Sequence, residues 1–195
     1  MPLMFICVLF VLALIAAPTA MAADGPGGVE YDEPPAAPTA TPGAAGAAVA
    51  QPTVPGVVAQ IVNGLAAAPA AAPDAVKQAI WTANAIVGRP YRYGGGHARG
   101  FIDRGYDCSG TVSYALHGGD LLDSPLDSSS FMRWGEKGAG EWITIYTNPG
   151  HAYAVIAGLR LDTSAAGDPS GLKGPRWRPT LRSSRGFKAR HPLGL

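Results

Sequence analysis

Cys108 is the residue of this chain best placed to act as a nucleophile. The four residues Asp-Cys-Ser-Gly follow a glycine-rich loop, at the point where a helix is predicted to begin. A cysteine in the first turn of a helix faces unpaired backbone N–H groups and the positive end of the helix dipole. Both favour the thiolate, which is the nucleophilic form of the side chain. The sequence therefore predicts an activated thiol, with a buried and inert cysteine as the alternative.

A thiolate needs a general base beside it, and His151 is the candidate. This histidine opens the middle strand of a predicted antiparallel meander, which places it at one end of the sheet. A two-residue turn at Ala157-Gly158 would pair Ile156 with Leu159. Counting outward from that pair brings Asp162 diagonally across from His151 on the same face. Asp162 is therefore the predicted partner that orients the imidazole.

Two predicted helices precede these strands. Apolar residues recur every three or four positions through residues 74–87, with Asp74 as the predicted cap and Gly88 as the stop. The second helix is predicted from Cys108 to about His117. Aromatic and β-branched residues then predict three antiparallel strands, at residues 142–147, 151–157 and 159–163. Helices followed by strands predict an α+β fold, with the helices packed on one face of a small antiparallel sheet.

Residues 1–22 have the features of an export signal. An apolar run from Phe5 to Ala17 is broken by Pro18, and a small-x-small pattern ends at Ala22. The run is shorter than the roughly 20 residues that a membrane span needs, so no span is expected after cleavage. Because no Lys or Arg precedes the run, an uncleaved membrane anchor is the alternative. The sequence predicts an exported protein, extracellular or periplasmic.

Cleavage after Ala22 would remove Cys7 and leave Cys108 as the only cysteine. An intramolecular disulfide is then impossible, and a single thiol in an exported protein suggests a reactive role or pairing between molecules. The cysteines and histidines do not occur in the close pairs that a structural zinc site uses, so no metal or organic cofactor is expected. No direct role is predicted for the other histidines, His97, His117 and His191.

Residues 23–73 are rich in Ala, Pro, Gly and Thr. Frequent proline blocks helix continuation and favours extended, solvated backbone, so this segment is predicted to be a disordered linker. The ordered domain is then predicted over residues 74–195. Its last part, from about residue 165, carries an excess of Lys and Arg. A basic extension suits an anionic partner, with a solvated basic face as the alternative, and the export signal argues against nucleic acid.

The glycine loop and the cysteine together resemble a known family. The segment GRPYRYGG, followed by DCSG and then by a GH-initiated strand about forty residues later, is similar to the NlpC/P60 family of cell-wall peptidases. The resemblance covers about residues 75–164. It implies a papain-like α+β core, in which the nucleophile lies on a helix that packs against a small antiparallel sheet.

The resemblance also implies a set of catalytic residues. Cys108 matches the family's nucleophile and His151 its general base. Asp162 lies where the family has a third polar residue that holds the imidazole ring. Strand register could instead give that place to Thr163, which is the next residue along the chain.

Three neighbours of the nucleophile are implied to take part as well. Tyr91 matches a tyrosine that helps to stabilise the oxyanion, and Asp107 and Ser109 match positions that contact the amino end of the substrate. The implied activity is hydrolysis of an amide in the peptide stem of peptidoglycan, at the bond between D-glutamate and the diamino acid. The basic extension would then contact an anionic polymer of the wall.

Two other functions use the same residues. An acyltransferase would form the same thioester and pass the acyl group to an amine instead of to water. A secreted wall-binding protein could keep the fold after losing the chemistry, although the intact Cys108, His151 and Asp162 argue against such a loss. Spacing alone does not separate these two functions from a peptidase.

Overall fold

A computed structural model describes residues 51–195 of the chain. The predicted export signal and residues 23–50 of the predicted linker lie outside the described residues. The described part has three helices, α1 (Asp74–Asn84), α2 (Cys108–Gly118) and α3 (Ser128–Phe131). Its strands are β1 (Thr53–Val54), β2 (Gln60–Val62), β3 (Leu65–Pro69), β4 (Glu136–Lys137), β5 (Ile143–Asn148), β6 (His151–Ile156), β7 (Leu159–Leu161), β8 (Trp177–Arg178) and β9 (Lys188–His191). Among residues 51–195, no helix has both the length and the apolar character needed to cross a membrane.

The strands form two sheets, and the larger one contains the predicted meander. Its six strands run in the order β4-β9-β5-β6-β7-β8, and every neighbouring pair is antiparallel. The smaller sheet has the order β1-β3-β2. Helices packed beside an antiparallel sheet confirm the predicted α+β fold.

The meander β5-β6-β7 has the predicted register. Ile156 pairs with Leu159 across the turn at Ala157-Gly158. Both turn residues have positive φ, 46° and 84°, which matches the right-handed twist of the strands that the turn joins. At the other end of β6, His151 pairs with Asn148 across a second tight turn. His151 is therefore the first residue of its strand, at the end of the sheet.

Helix α2 connects the sheet to the rest of the core. It packs on β6, and α1 packs on both α2 and β3. Complete burial of one large aliphatic side chain contributes about 1.5–3 kcal/mol. The fully buried aliphatic residues of these elements and of β5 include Val76, Ile80, Val112, Leu116, Ile145 and Ile156. This core fixes the start of α2 against the start of β6.

The prediction of a disordered linker up to residue 73 is wrong for residues 51–73. These residues form β1, β2 and β3, and the side chains of Ala66 and Ala68 are completely buried. The Asn84 amide at the end of α1 bonds both the N–H and the carbonyl of Ala66, each at 2.9 Å. Alanine is small enough to let the backbone of β3 lie against α1. The composition that suggested disorder is therefore what allows the close packing.

The start of α1 also differs from the prediction. Pro73, and not Asp74, occupies the capping position, and its carbonyl accepts from the N–H groups of Val76 and Lys77 at 3.0 and 3.1 Å. Asp74 is the first helical residue, and its carboxylate pairs with the Lys77 ammonium at 3.4 Å. Proline is favourable at the start of a helix because its missing N–H would have no partner there.

The basic extension is part of the domain and not a tail. It supplies β8 at one edge of the larger sheet and β9 between β4 and β5. The Trp177 side chain is buried, and its Nε1–H donates to Asn84 Oδ1 at 2.7 Å. The extension therefore pairs with the meander that contains His151.

The glycine loop touches the first turn of α2 through Gly95 and Gly110. The Gly95 carbonyl accepts from the Asp107 N–H at 3.1 Å, and a Cβ on Gly110 would collide with the same carbonyl oxygen. We expect Gly110→Ala to lower the free energy of unfolding by about 1–3 kcal/mol, measured by urea denaturation. Gly150→Ala is the matched control, because its Cβ would make only an ordinary contact with Asn148. Equal stability of the two variants would contradict this account of the loop.

Candidate active site

Cys108 is the first residue of α2, as predicted, and its orientation is set by Asp107. The Asp107 side chain caps the helix, since Oδ1 accepts from the Gly110 N–H at 2.7 Å. Its other oxygen accepts from the N–H of Gly94 in the glycine loop at 3.0 Å. One carboxylate thereby joins the loop to the helix. The Cys108 side chain is a free thiol with 8% of its surface exposed.

His151 bridges Cys108 and Asp162. Its Nε2 lies 2.9 Å from Asp162 Oδ1, and the Asp162 side chain is completely buried. The Cys108 thiol is the other neighbour of the imidazole, because the two groups shift each other's pKa. With Nε2 bonded to the carboxylate, Nδ1 is the ring nitrogen available to the sulfur. The structure therefore brings the three predicted residues together.

The other candidate for the third position, Thr163, does not take it. Its side chain is buried beside Asp162, and its carbonyl accepts from the Gly174 N–H at 3.0 Å. The imidazole bonds to the carboxylate of Asp162 and not to the hydroxyl of Thr163. Asp162 is further held by the N–H of Ser164, which donates to Oδ1 at 2.8 Å.

The surroundings of Cys108 lower the pKa of its thiol. Burial by itself raises that pKa, because a thiolate loses solvation. Hydrogen bonds from the His151 ring and from the backbone N–H of Ala152 act in the opposite direction, and the charge of His151 adds to them. The net effect favours the thiolate below the pKa of a free cysteine, which is about 8.5.

The same contacts raise the pKa of His151 to about 9. Burial favours the neutral ring and lowers this pKa, but the hydrogen bonds to Asp162 and Cys108 raise it by more. The lowered pKa of the thiol and the raised pKa of the imidazole both favour the thiolate–imidazolium form, and the two groups titrate as a pair. Such a pair holds both the attacking group and the proton that a leaving group requires.

Alkylation of Cys108 by iodoacetamide should therefore stay fast as the pH falls from about 8.5 to about 6. The lowered pKa of the thiol keeps the thiolate populated below the range in which a free thiol is protonated. In His151→Gln the imidazolium is gone, and we expect the rate to fall by about 100-fold over the same range, as for an ordinary thiol. Mass spectrometry of the alkylated protein gives both rates. A wild-type profile with a midpoint near 8.5 would contradict the pairing.

Two arginines that the sequence analysis did not single out flank Asp162. Arg182 Nη1 lies 3.3 Å from Asp162 Oδ2, and Arg160 Nε lies 3.7 Å from the same oxygen. Arg160 is completely buried, and its guanidinium nitrogens have no hydrogen-bond partner among residues 51–195. Asp162 therefore balances a buried positive charge while it holds His151.

Arg182 comes from the basic extension and packs against two aromatic rings. Its guanidinium carbon lies 5.3 Å from the ring centroids of both Tyr153 and Phe187. The Phe187 ring contacts the His151 imidazole edge-on, with 6.2 Å between centroids. The extension therefore encloses the buried side of the imidazole. No local pattern points to this role, because Arg182 is 20 residues from Asp162 along the chain.

A cavity of about 540 Å³ lies over Cys108. Tyr91 lines it, and burial together with the nearby charge of Cys108 raises the pKa of this phenol, which stays protonated and able to donate at neutral pH. Asp107 and Ser109 also line the cavity, with the Ser109 hydroxyl 3.2 Å from Asp107 Oδ1. Tyr91, Asp107 and Ser109, the three neighbours implied by the resemblance, therefore line one cavity with Cys108.

His97 lies in the same cavity, although no direct role was expected for it. Its Nε2 is 3.0 Å from Asp107 Oδ1 and 3.3 Å from the Ser109 hydroxyl. The hydrogen bond with Asp107 raises the pKa of His97, and the burial of the ring opposes this. The Asp107 carboxylate is thus partly neutralised by His97. A substrate group that binds Asp107 has to share it with this ring.

Among residues 51–195, no three His, Cys, Asp or Glu side chains are grouped so that they could hold a metal ion.

The chain is similar to solved structures of other proteins. No protein-family model and no curated protein matches the chain. The chain is similar to the peptidoglycan hydrolase RipB from Mycobacterium tuberculosis, with a TM-score of 0.44 and 24% sequence identity over 60% of this chain. The match spans 64% of the RipB chain, which is less than two thirds of its length.

Proposed function

We propose that the protein is a cysteine peptidase that hydrolyses an amide bond in the stem peptides of peptidoglycan. The observation that carries this proposal is the 2.9 Å hydrogen bond between His151 and the buried Asp162 carboxylate, together with the position of Cys108 where His151 lowers the pKa of its thiol. This arrangement supplies a nucleophile, an acid–base group and the residue that orients it, which together are the requirements for acyl transfer. The proposal includes a papain-like arrangement of helix α2 against the larger sheet.

In the first step, the Cys108 thiolate attacks the carbonyl carbon of the substrate amide. The carbonyl oxygen becomes an oxyanion, which backbone N–H groups at the start of α2 and the Tyr91 hydroxyl stabilise. His151 then donates its proton to the amide nitrogen as the carbon–nitrogen bond breaks. The amine leaves, and the acyl group remains on Cys108 as a thioester.

In the second step, water replaces the amine. The neutral His151 takes a proton from the water molecule, and the resulting hydroxide attacks the thioester carbonyl. The carbon–sulfur bond breaks, the carboxylic acid leaves, and the thiolate–imidazolium pair is restored. Asp162 keeps the ring oriented through both steps and stabilises the imidazolium each time it forms.

The substrate class rests on the resemblance to the NlpC/P60 family and on the cavity over Cys108. We place the acyl part of the substrate in this cavity, with its amino end near Asp107 and Ser109. The bond cleaved is then the one between D-glutamate and the diamino acid. Export through residues 1–22 delivers the enzyme to the wall, and the basic extension supplies charge for an anionic wall polymer.

Product analysis in ¹⁸O-labelled water tests the function. The wild-type protein should release stem-peptide fragments with one heavy oxygen in the new carboxyl group, as read by mass spectrometry. Cys108→Ala should release none. Fragments that carry an added amine in place of heavy oxygen would indicate an acyltransferase. If the wild-type protein and Cys108→Ala are both inactive on cell walls of several chemistries, the proposed peptidase function is wrong. The protein would then be a wall-binding protein.

A further inference from the structure

A second cavity lies beside His151, on the other side of Tyr91. It has a volume of about 250 Å³, and its lining includes Tyr91, His151, Thr163, Ser164 and Lys173. Cys108 lines only the larger cavity, His151 lines only the smaller one, and Tyr91 lines both. The two halves of the proposed catalytic pair therefore face different cavities.

The chemistry assigns a different part of the substrate to each cavity. The acyl group is bonded to the Cys108 sulfur after the first step, so it occupies the larger cavity. The departing amine receives its proton from His151, so it leaves on the side that His151 lines. The smaller cavity is accordingly the position for the leaving group. Its volume of about 250 Å³ suits a group of roughly one amino-acid residue.

Lys173 is the one Lys or Arg side chain in the lining of the smaller cavity. It is exposed, and within residues 51–195 no carboxylate lies close enough to form a salt bridge with it. The lining contains no Asp or Glu, while hydroxyl groups of Thr163 and Ser164 are present beside the lysine. This leaves an ammonium and polar hydroxyl groups in a cavity where a leaving group has to bind.

The backbone that carries Lys173 is held rigidly by a buried arginine. Arg178 Nη2 donates to the carbonyls on either side of the lysine, to Leu172 at 2.9 Å and to Gly174 at 3.4 Å. The Arg178 side chain is completely buried and pairs with Asp168 at 2.6 Å. Arg178 Nε also donates to the Asp162 carbonyl at 3.1 Å, so one buried side chain fixes both carbonyls flanking Lys173 and the backbone of Asp162.

Gly174 fixes the same segment from the opposite side. Its φ is +92°, and a Cβ there would collide with the carbonyl oxygen of Arg89. Its N–H donates to the Thr163 carbonyl at 3.0 Å, next to Asp162. The lysine is thereby held at a defined place relative to the catalytic carboxylate. A solvated surface lysine needs no such support.

We infer that Lys173 binds a carboxylate on the leaving part of the substrate. This inference rests on the proposed function, because that function places the leaving group in the smaller cavity. A single ammonium matches the single negative charge of a carboxylate and provides donors for charge-assisted hydrogen bonds. The larger cavity carries Asp107 and Asp127, and His97 offsets part of the charge of Asp107. The two cavities together favour a peptide that is positive at its acyl end and negative at its leaving end.

Paired substrates test the inference. One stem peptide has a free carboxylate on the leaving residue, and its partner has a carboxamide there. The α-carboxyl and the side-chain carboxyl groups of that residue are amidated in separate peptides, which identifies the carboxylate that Lys173 binds. The wild-type protein should favour the carboxylate by about tenfold or more in kcat/KM, as expected for one charge-assisted hydrogen bond. Lys173→Met should remove the preference through KM, and Lys173→Arg should retain it. Lys137→Met, at a lysine outside both cavities, should leave it unchanged.

A second measurement does not depend on peptidase activity. The ratio of Cys108 alkylation rates with iodoacetate and with iodoacetamide reports attraction of a carboxylate to the site. We expect Lys173→Glu to lower this ratio about tenfold relative to Lys137→Glu. If no peptide is cleaved but the ratio falls, the proposed function fails and the anion site stands. If peptides are cleaved and Lys173→Met keeps the carboxylate preference, or if the ratio does not change, the inference is overturned.

Discussion

Cys108→Ala should lower kcat for peptidoglycan hydrolysis by about a millionfold. Loss of the nucleophile in a serine peptidase triad has a cost of that order, because the remaining groups cannot form the acyl-enzyme. The substitution removes one buried sulfur atom at the first position of α2, where alanine is a favourable helix residue. Folding should therefore be retained, and circular dichroism with thermal unfolding checks it.

Cys108→Ser is the matched control for the size of the side chain. It keeps a nucleophilic atom in nearly the same place but replaces a thiol, whose pKa His151 lowers, with a hydroxyl that stays protonated. We expect Cys108→Ser to be almost as inactive as Cys108→Ala. Loss of a nucleophile should leave about a millionth of the wild-type kcat. If either variant retains more than about one hundredth of that kcat, Cys108 is not the nucleophile.

Asp162→Asn should lower kcat/KM by about 10³- to 10⁴-fold. The carboxylate accepts from the Nε2–H of His151 at 2.9 Å and stabilises the imidazolium, whereas an amide can also donate and would favour the wrong tautomer. The loss should appear mainly in kcat, because Asp162 is buried and lines neither cavity. Steady-state kinetics on a soluble stem peptide measures it.

The same substitution should also lower stability, because Asp162 balances a buried charge. Removing one partner of a buried ion pair costs about 3–5 kcal/mol, and Asn at this position leaves Arg160 without a counter-charge at 3.7 Å. Arg160→Met separates the two effects, since an apolar side chain of similar length removes the charge that needs balancing. The double variant should regain much of the stability and none of the activity. Full activity in Arg160→Met/Asp162→Asn would contradict the role given to Asp162.

The sequence was informative where local signals fix the geometry. The turn at Ala157-Gly158 determines the pairing of β6 with β7, and this pairing brings Asp162 within reach of His151. The start of α2 at Cys108 was predicted from the glycine loop that precedes it. Local signals fixed the existence of α1 but not its ends, because Pro73 and not Asp74 caps the helix, which stops at Asn84.

Contacts between distant segments could not be predicted in this way. Residues 51–73 form strands because Asn84 and the small side chains of β3 allow close packing against α1. The Ala-rich composition of this segment does not show that a helix lies close enough for that packing. Arg182 reaches Asp162 only because the extension folds back on the sheet. His97 enters the cavity through the shape of an irregular loop. These features depend on tertiary packing, for which the sequence carries no local signal.

Detection of the acyl-enzyme tests the central claim most directly. The wild-type protein is mixed with a stem peptide, quenched in acid within milliseconds to seconds, and measured as an intact protein by mass spectrometry. We predict a mass increase equal to the acyl part of the substrate, located on Cys108 by peptide mapping. The adduct should be absent from Cys108→Ala. A thiolate mechanism at this site would be contradicted if the wild-type protein releases cleaved peptide without any adduct and the Cys108→Ala variant is equally active.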